Sequence, residues 1–198
     1  MTSLPESRYV SLIDRIKAQH AWELQHGWKS EESTYPPATE EQLRASEQAL
    51  GFLLPPLLRT LYAQVANGGF GPDYGIKGAM GGCAGDLGTI VDMYLEGREE
   101  VRQGRAQLVD LAAYEQLAYD IDVRNIGYTV VLNRVIELPE RALPEGLLGF
   151  YSDGCGIFSS IDLNTGRIFL ESHPYLYYEA HSLEEWLERW LNEAEKRR

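Results

Sequence analysis

Cys155 and His173 are the residues whose types best suit nucleophilic catalysis in this sequence. A thiolate can attack a carbonyl when an imidazole takes its proton, and Asp153 or Glu171 could orient that imidazole. No nucleophile signature surrounds Cys155, and the surrounding Gly-Cys-Gly run favours a small, partly buried apolar residue at the start of a strand. We therefore expect no enzyme active site, with an unrecognised hydrolase as an alternative.

Two further patterns resemble chemical sites without completing them. Asp153 and Asp162 bracket a short apolar run and could face one cleft, as glycosidase acids do, although Asp153 lies in a sequence typical of turns. The glycine-rich residues 68–78 contain Lys77. A phosphate-binding loop needs glycine before this lysine and a hydroxyl residue after it, and both positions differ here. Turns that require positive φ explain the glycines of a surface loop better.

Metal and cofactor chemistry has no support in the sequence. The four histidines lie far apart, and the two cysteines are too few and too distant for a zinc module or a disulfide framework. The first residues lack the apolar core of a secretory signal, and no apolar run approaches the ~20 residues of a membrane helix. We expect no metal, no cofactor, no membrane contact and a cytoplasmic location.

The charge balance separates classes of partner. Thirty acidic residues against eighteen basic ones give a formal net charge of −12. DNA and RNA are repelled by such a chain, because binding them depends on basic residues that displace counterions. A basic protein is attracted and associates faster. A simple contribution to solubility is the alternative explanation of the acidic composition.

Helices are expected at the start and at the end of the chain. Apolar residues at three-to-four spacing predict a first helix up to Gly27, and Thr39 with Gln42 forms a capping box for a second that ends at Gly51. A third amphipathic helix follows Pro55-Pro56, and a capping box at Ser182 begins the last. Residues 101–119 are also expected to be helical, whereas 89–96 fit a helix or a strand.

The region between these helices favours strands. Beta-branched runs predict strands at residues 128–132 and 135–138, and turn residues between apolar runs predict antiparallel hairpins over 147–170. The resulting class is α+β: N-terminal helices, a central antiparallel or mixed sheet of about four to six strands, and a closing C-terminal helix. Residues 1–35 are expected to form a helical extension, and 36–198 the main domain.

Several blocks of sequence, in the same order, resemble the SUKH superfamily, which comprises cell-wall-assembly regulators of the Smi/Knr type and their bacterial relatives. The blocks share proline, glycine and apolar positions: Pro36-Pro37-Ala38-Thr39 through Gly51, Leu54-Pro55-Pro56 through Tyr62, Ala66-Asn67-Gly68-Gly69-Phe70, Leu143-Pro144-Glu145-Gly146, Asp153-Gly154-Cys155-Gly156, Ile161-Asp162-Leu163, and Ser182 through Leu187. The chain departs from the family at Ala142-Leu143, where tryptophan is frequent, and at Gly149, where proline is frequent. Residues 96–141 are longer than usual, and the first 35 residues have no recognised counterpart.

The resemblance implies a binding role instead of catalysis. Bacterial members are similar to immunity proteins that block polymorphic toxins, many of them nucleases, by direct contact. We therefore predict a non-enzymatic immunity protein with a basic toxin domain as its partner; an intracellular scaffold or regulator of the Smi/Knr type is the alternative. The predicted contact residues are acidic or tyrosine side chains, namely Asp73, Tyr74, Asp86, Asp153, Tyr175, Tyr177 and Tyr178. The three tyrosines fit an interface and a cover for the sheet edge equally well.

Overall fold

The computed structural model describes residues 9–29, 35–120, 134–154 and 156–198, which fall into two compact units. The first unit comprises the chain up to Val91 together with Glu184–Arg198, and the second comprises Asp92–Leu183. Helices make up most of the regular structure of the first unit, and an antiparallel sheet dominates the second. This arrangement confirms the predicted α+β class.

The elements are numbered in chain order. The helices are α1 (Val10–Gln25), α2 (Glu40–Leu50), α3 (Pro56–Gln64), α4 (Ile90–Arg102), α5 (Leu111–Glu115) and α6 (Leu183–Glu195), with a 3₁₀ turn at Gly85–Leu87. The strands are β1 (Gln107–Val109), β2 (Tyr119–Asp120), β3 (Arg134–Glu137), β4 (Ala142–Pro144), β5 (Leu147–Gly154), β6 (Ile157–Asp162), β7 (Ile168–Ser172) and β8 (Tyr175–Ala180). None of the helices in the described ranges combines the length and the apolar character needed to cross a bilayer.

The helical hairpin of α2 and α3 begins and ends as its sequence predicts. The Thr39 hydroxyl accepts from the Gln42 amide N–H at 3.2 Å, and the Gln42 side chain accepts from the Thr39 N–H at 2.9 Å. Gly51 ends α2 with a φ of 82°, which a residue with a Cβ rarely adopts. The Arg59 guanidinium on α3 then contacts the carboxylates of Glu40 and Glu47 on α2, and so ties the two helices together.

Helix α1 packs within the first unit. Its apolar face buries Leu12, Ile13 and Ile16. On its polar side the Arg15 guanidinium donates to Glu195 of α6 at 2.9 and 3.1 Å and to Asn192 at 3.0 Å. The first helix is therefore fastened to the closing helix of the same chain.

The sheet of the second unit is antiparallel throughout and has the order β2-β3-β8-β7-β6-β5. Strand β8 lies inside the sheet, paired with β3 on one side and β7 on the other. The idea that its tyrosines cover a sheet edge is therefore wrong. The alternation of intermediate and buried residues along β8, from Tyr175 to Ala180, is the period-two pattern of a strand.

The prediction of one helix over residues 101–119 is also wrong. Helix α4 ends at Arg102 because Gly104, with a φ of 71°, reverses the chain. Strand β1 follows and pairs in parallel with β4, and Asp110 then caps the short α5 by accepting from the Ala112 N–H at 3.0 Å. Residues 90–102 are helical, so the stretch 89–96, which fits a helix or a strand by sequence, is helix from Ile90 onward. The strand predicted at 128–132 lies outside the described residues.

One hydrophobic cluster holds the second unit together on one face of its sheet. Ile136, Phe169 and Leu176 project from three strands of the sheet and pack with Leu111 of α5. These side chains are almost fully buried. Burial of apolar area on this scale is the main stabilising contribution to such a unit.

Candidate functional site

The residues predicted to contact a partner divide between the two units. Asp73 and Tyr74 adjoin in the loop after α3, and Tyr74 is 75 % exposed. Asp86 lies in the 3₁₀ turn of the same unit, and its side chain is outside the described part of the structure. Asp153, Tyr175, Tyr177 and Tyr178 belong to the second unit.

The three predicted tyrosines do not share one surface. Tyr175 and Tyr177 lie on the same face of β8, with their ring centroids 6.3 Å apart. Tyr178 lies on the opposite face, where its ring packs edge-on against Phe169 at 5.6 Å and its hydroxyl contacts His181 Nδ1 at 2.9 Å. Tyr178 is thus part of the hydrophobic cluster, and its role as a contact residue stays a prediction.

The residues considered for catalysis are not assembled into a site by the described structure. Asp162 pairs with Leu147 at one end of the β5–β6 hairpin, whereas Asp153 lies beside Gly154 at the other end. Five strand steps of ~3.4 Å separate these ends by about 17 Å, beyond the ~9.5 Å limit for paired glycosidase acids. Asp162 accepts from the Asn164 N–H and the Thr165 hydroxyl, which explains it as a turn residue. Cys155 lies outside the described residues.

The sequence around Asp153 predicts a turn, and this prediction is wrong, because Asp153 lies near the end of β5. Strand β5 continues to Gly154, so the chain reverses after that residue. The Tyr151 hydroxyl donates to the Asp153 carboxylate at 3.2 Å. The described ranges contain no group of three metal-ligating side chains.

The glycine-rich loop of the first unit is built around Asn67. The Asn67 amide oxygen accepts from the Ala79 N–H at 2.8 Å, and its NH₂ group donates to the Met80 carbonyl at 3.2 Å. A Cβ on Gly82 would lie only 2.3 Å from the Asn67 carbonyl oxygen, so glycine is required there. The loop is therefore a structure that the Asn67 side chain cross-links.

Lys77 is a structural residue of this loop instead of a phosphate ligand. Its side chain is buried, and its ammonium donates to the carbonyls of Ala84 at 3.1 Å and Gly88 at 3.3 Å. Its own carbonyl accepts from the buried Tyr62 hydroxyl at 2.5 Å. These bonds direct the lysine at the loop's own backbone.

A groove with a volume of about 190 Å³ lies between α1, α6 and the loop at Gly71–Asp73 in the first unit. Tryptophans supply its aromatic wall: Trp22 from the last turns of α1, Trp28 from the chain just after α1, and Trp190 from α6. Trp28 is 60 % exposed, and its ring lies 6.1 Å from that of Trp22. We call this feature the tryptophan groove. Its volume is below the ~300–1,000 Å³ of ordinary small-molecule pockets and suits a single side chain.

A buried carboxylate lies in the wall of the tryptophan groove. Glu23 is only 7 % exposed; its Oε1 accepts from the Gln19 amide at 2.8 Å, and its Oε2 has no hydrogen-bond partner among the described residues. Burial raises the pKa of the Glu23 carboxyl, which the Gln19 bond opposes. A buried acceptor without a donor costs about 1–3 kcal/mol, so this oxygen favours a ligand that donates.

Lys29 and Asp73 form the rim of the groove. The Lys29 ammonium donates to the Asp73 carbonyl, and burial lowers the pKa of this ammonium while the nearby Glu23 and Asp73 carboxylates oppose the shift. Asp73 has a φ of 36°, a backbone conformation that residues other than glycine rarely adopt and that often occurs at binding sites. Of the predicted contact residues whose side chains the structure describes, Asp73 is the one that lines the groove.

The chain already places one cation on the groove's aromatic wall. The Arg198 guanidinium lies 5.6 Å from the centre of the Trp22 ring, within the range of a cation–π contact. Its Nε donates to the Gln19 amide oxygen at 2.9 Å. Gln19 thus joins the Arg198 guanidinium to the Glu23 carboxylate.

Sequence reasoning missed the tryptophan groove. Trp190 belongs to the apolar pattern of α6 together with Leu183, Trp186 and Leu187, but it is only partly buried and lines the groove. Trp22 lies off the apolar stripe of α1, and Trp28 follows the helix. Two tryptophans that do not belong to a core-facing stripe could have indicated a binding surface. The unpartnered Glu23 could not be found from sequence, because its burial depends on α6 and the loop.

A second cavity of about 210 Å³ lies in the second unit and is mostly apolar. Met93 of α4, Leu143 and Phe158 supply apolar walls, and Glu171 lines it from β7. Burial raises the pKa of the Glu171 carboxyl, to which the Ser160 hydroxyl donates. Glu171 thus hydrogen-bonds to Ser160 on the neighbouring strand β6, while His173 is exposed in the turn that follows β7.

Comparison with known proteins gives one family. The model of the SMI1/KNR4 family (SUKH-1) matches residues 37–189. No curated protein matches the chain. The matched range includes α2, α3, the glycine-rich loop and the whole sheet, whereas Trp22, Trp28 and Trp190 lie outside it.

Proposed function

The chain belongs to the SMI1/KNR4 family (SUKH-1), and we propose that it is a non-enzymatic immunity protein that neutralises a toxin domain by binding it directly. The family match across residues 37–189 is the observation that carries this proposal. It supports a protein-binding module of the immunity or Smi/Knr type. The cytoplasm is the location that we propose, and residues 36–198 remain the proposed main domain.

Surface chemistry supports a basic partner. The net charge of −12 accelerates encounter with a positively charged protein, such as a nuclease that itself binds polyanions. Trp28 and Tyr74 are highly exposed, and tryptophan and tyrosine are enriched among the few residues that dominate the binding energy of interfaces. Asp73, next to Tyr74, adds a carboxylate to this part of the first unit.

The wide separation of Asp153 and Asp162 supports a role without catalysis. A scaffold or regulatory role of the Smi/Knr type is the second candidate, and the family description favours it as directly as the first. The two roles differ in one property of the partner. A toxin harms the cell when it is produced alone, whereas the partner of a scaffold does not.

Affinity capture from the native cell, with the full chain as bait, tests the proposal. We expect one basic protein that is released at high salt and that stops growth when it is expressed by itself. Recovery of a harmless envelope or signalling protein would transfer the proposal to the scaffold role. Recovery of no protein under mild salt would remove the binding role.

Charge reversal tests the predicted acidic contacts. Asp73→Lys and Asp86→Lys should slow association with the captured partner and weaken its salt dependence. Glu188→Lys on the exposed side of α6 is the matched control, because it changes the net charge equally outside the groove. Association rates that fall no further than in this control would exclude the two aspartates as contacts.

A further inference from the structure

We infer that the tryptophan groove binds an arginine side chain of the partner protein, between the tryptophan rings and the Glu23 carboxylate. The inference rests on the binding role proposed above and specifies its chemistry. Nine of the twelve residues that line the groove lie outside 37–189, in and just after α1 and α6, and the other three are Gly71–Asp73. Most of the groove therefore lies outside the part of the chain that matches the family.

The unpartnered oxygen of Glu23 defines what the groove accepts. The Glu23 side chain lines the groove and is only 7 % exposed, and its Oε2 lacks a donor among the described residues. A ligand with N–H groups removes that deficit. A charged donor forms a hydrogen bond with a carboxylate that is roughly twice as strong as a neutral one.

The aromatic wall selects a cation. Tryptophan gives the strongest cation–π contacts, and Trp22 and Trp28 place two such rings about one ring-width apart, at 6.1 Å. The chain's own Arg198 shows that a guanidinium is accepted there, since it lies 5.6 Å from Trp22 and donates to Gln19. Arg198 would therefore compete with an incoming guanidinium for the Trp22 ring.

Arginine fits better than lysine for a geometric reason. A planar guanidinium can stack on a tryptophan ring and donate sideways to a carboxylate at the same time, which a compact ammonium cannot do as well. Lys29 already supplies an ammonium at the rim, but it donates to the Asp73 carbonyl. The volume of about 190 Å³ holds one long side chain and excludes a larger ligand.

A titration with a small arginine probe tests the site without a partner. N-acetyl-arginine amide is added to the full chain, and N-acetyl-citrulline amide, which has the same shape without the charge, is the control ligand. The indole N–H signals of Trp22 and Trp28 are followed by NMR. We expect saturable binding of the arginine probe, with a dissociation constant on the order of 1 mM, and binding of the citrulline probe at least ~10-fold weaker.

Two variants assign the binding to the groove. Glu23→Gln keeps the shape of the side chain and should weaken the arginine probe about 10-fold or more, whereas Glu188→Gln should not change it. Trp28→Ala alters an exposed residue and should weaken it about 2- to 5-fold even if the Glu23 variant folds poorly. Arg198→Ala removes the competing guanidinium and should strengthen binding about 2- to 5-fold.

Equal affinity for the two probes would overturn the inference, as would an unchanged affinity in both the Glu23 and the Trp28 variants. The captured partner separates this failure from that of the proposed function. A partner that binds wild-type protein and Glu23→Gln equally tightly excludes the arginine contact and leaves the immunity role standing. If the arginine probe binds to the groove but the chain neutralises no partner, the inference about the groove stands and the immunity role is excluded.

Discussion

Asn67→Ala should destabilise the first unit more than any ordinary surface change. The substitution leaves the buried Ala79 N–H without its acceptor at 2.8 Å and the Met80 carbonyl without its donor at 3.2 Å. Each buried polar group that loses its partner costs about 1–3 kcal/mol, with the lower value for half-buried Met80. We therefore expect a loss of about 2–4 kcal/mol in the free energy of unfolding, and a fall of roughly 5–15 °C in the melting temperature.

Urea unfolding, monitored by tryptophan fluorescence, measures this loss of stability in the first unit. All four tryptophans of the chain, at positions 22, 28, 186 and 190, belong to the first unit. Asn192→Ala is the control, because it removes an exposed asparagine that accepts from Arg15 and should change stability by less than about 0.5 kcal/mol. A loss below about 1 kcal/mol for Asn67→Ala would refute the account of the loop as a structure cross-linked by this side chain.

Three further changes probe the helices and the loop. Thr39→Ala removes the capping box with Gln42 and should cost about 1 kcal/mol in the same urea assay; an unchanged midpoint would contradict the cap. Burial lowers the pKa of His20 from its ordinary value of 6.5, so the unfolded chain takes up a proton first and stability falls as the pH drops below 6.5. The melting temperature of His20→Leu, relative to that of the wild type, should therefore be higher at pH 5.5 than at pH 7.5. An equal difference between the two proteins at both pH values would exclude this effect. Gly82→Ala would place a Cβ 2.3 Å from the Asn67 carbonyl oxygen, and circular dichroism melting should show a loss of at least about 2 kcal/mol, whereas near-wild-type melting would show that the loop yields.

Local chemistry made the helices of the first unit predictable from sequence. The capping box at Thr39 and the glycine at position 51 act within one turn of chain, so their effect does not depend on the rest of the fold. The hairpin of β6 and β7 is equally local. In contrast, the pairing of β8 with β3 joins Tyr175 to Glu137, and no local signal encodes that register.

The candidate site was only partly predictable for the same reason. Asp73, which lines the groove, was among the predicted contact residues because a short acidic and aromatic loop sequence is visible by itself. The burial of Glu23 is decided by residues more than a hundred positions away, on α6. The opposite orientations of Tyr177 and Tyr178 follow from the period of strand β8, which no local sequence pattern predicted.

Neutralisation of the captured partner tests the central claim most directly. The partner is purified, its toxic activity is measured, and the full chain is added in increasing amounts. The account predicts that activity disappears at equimolar protein and that co-expression restores growth to cells that produce the partner. Full activity at saturating concentrations of the chain, with the two proteins demonstrably bound, would contradict the immunity role and leave a binding module of another kind.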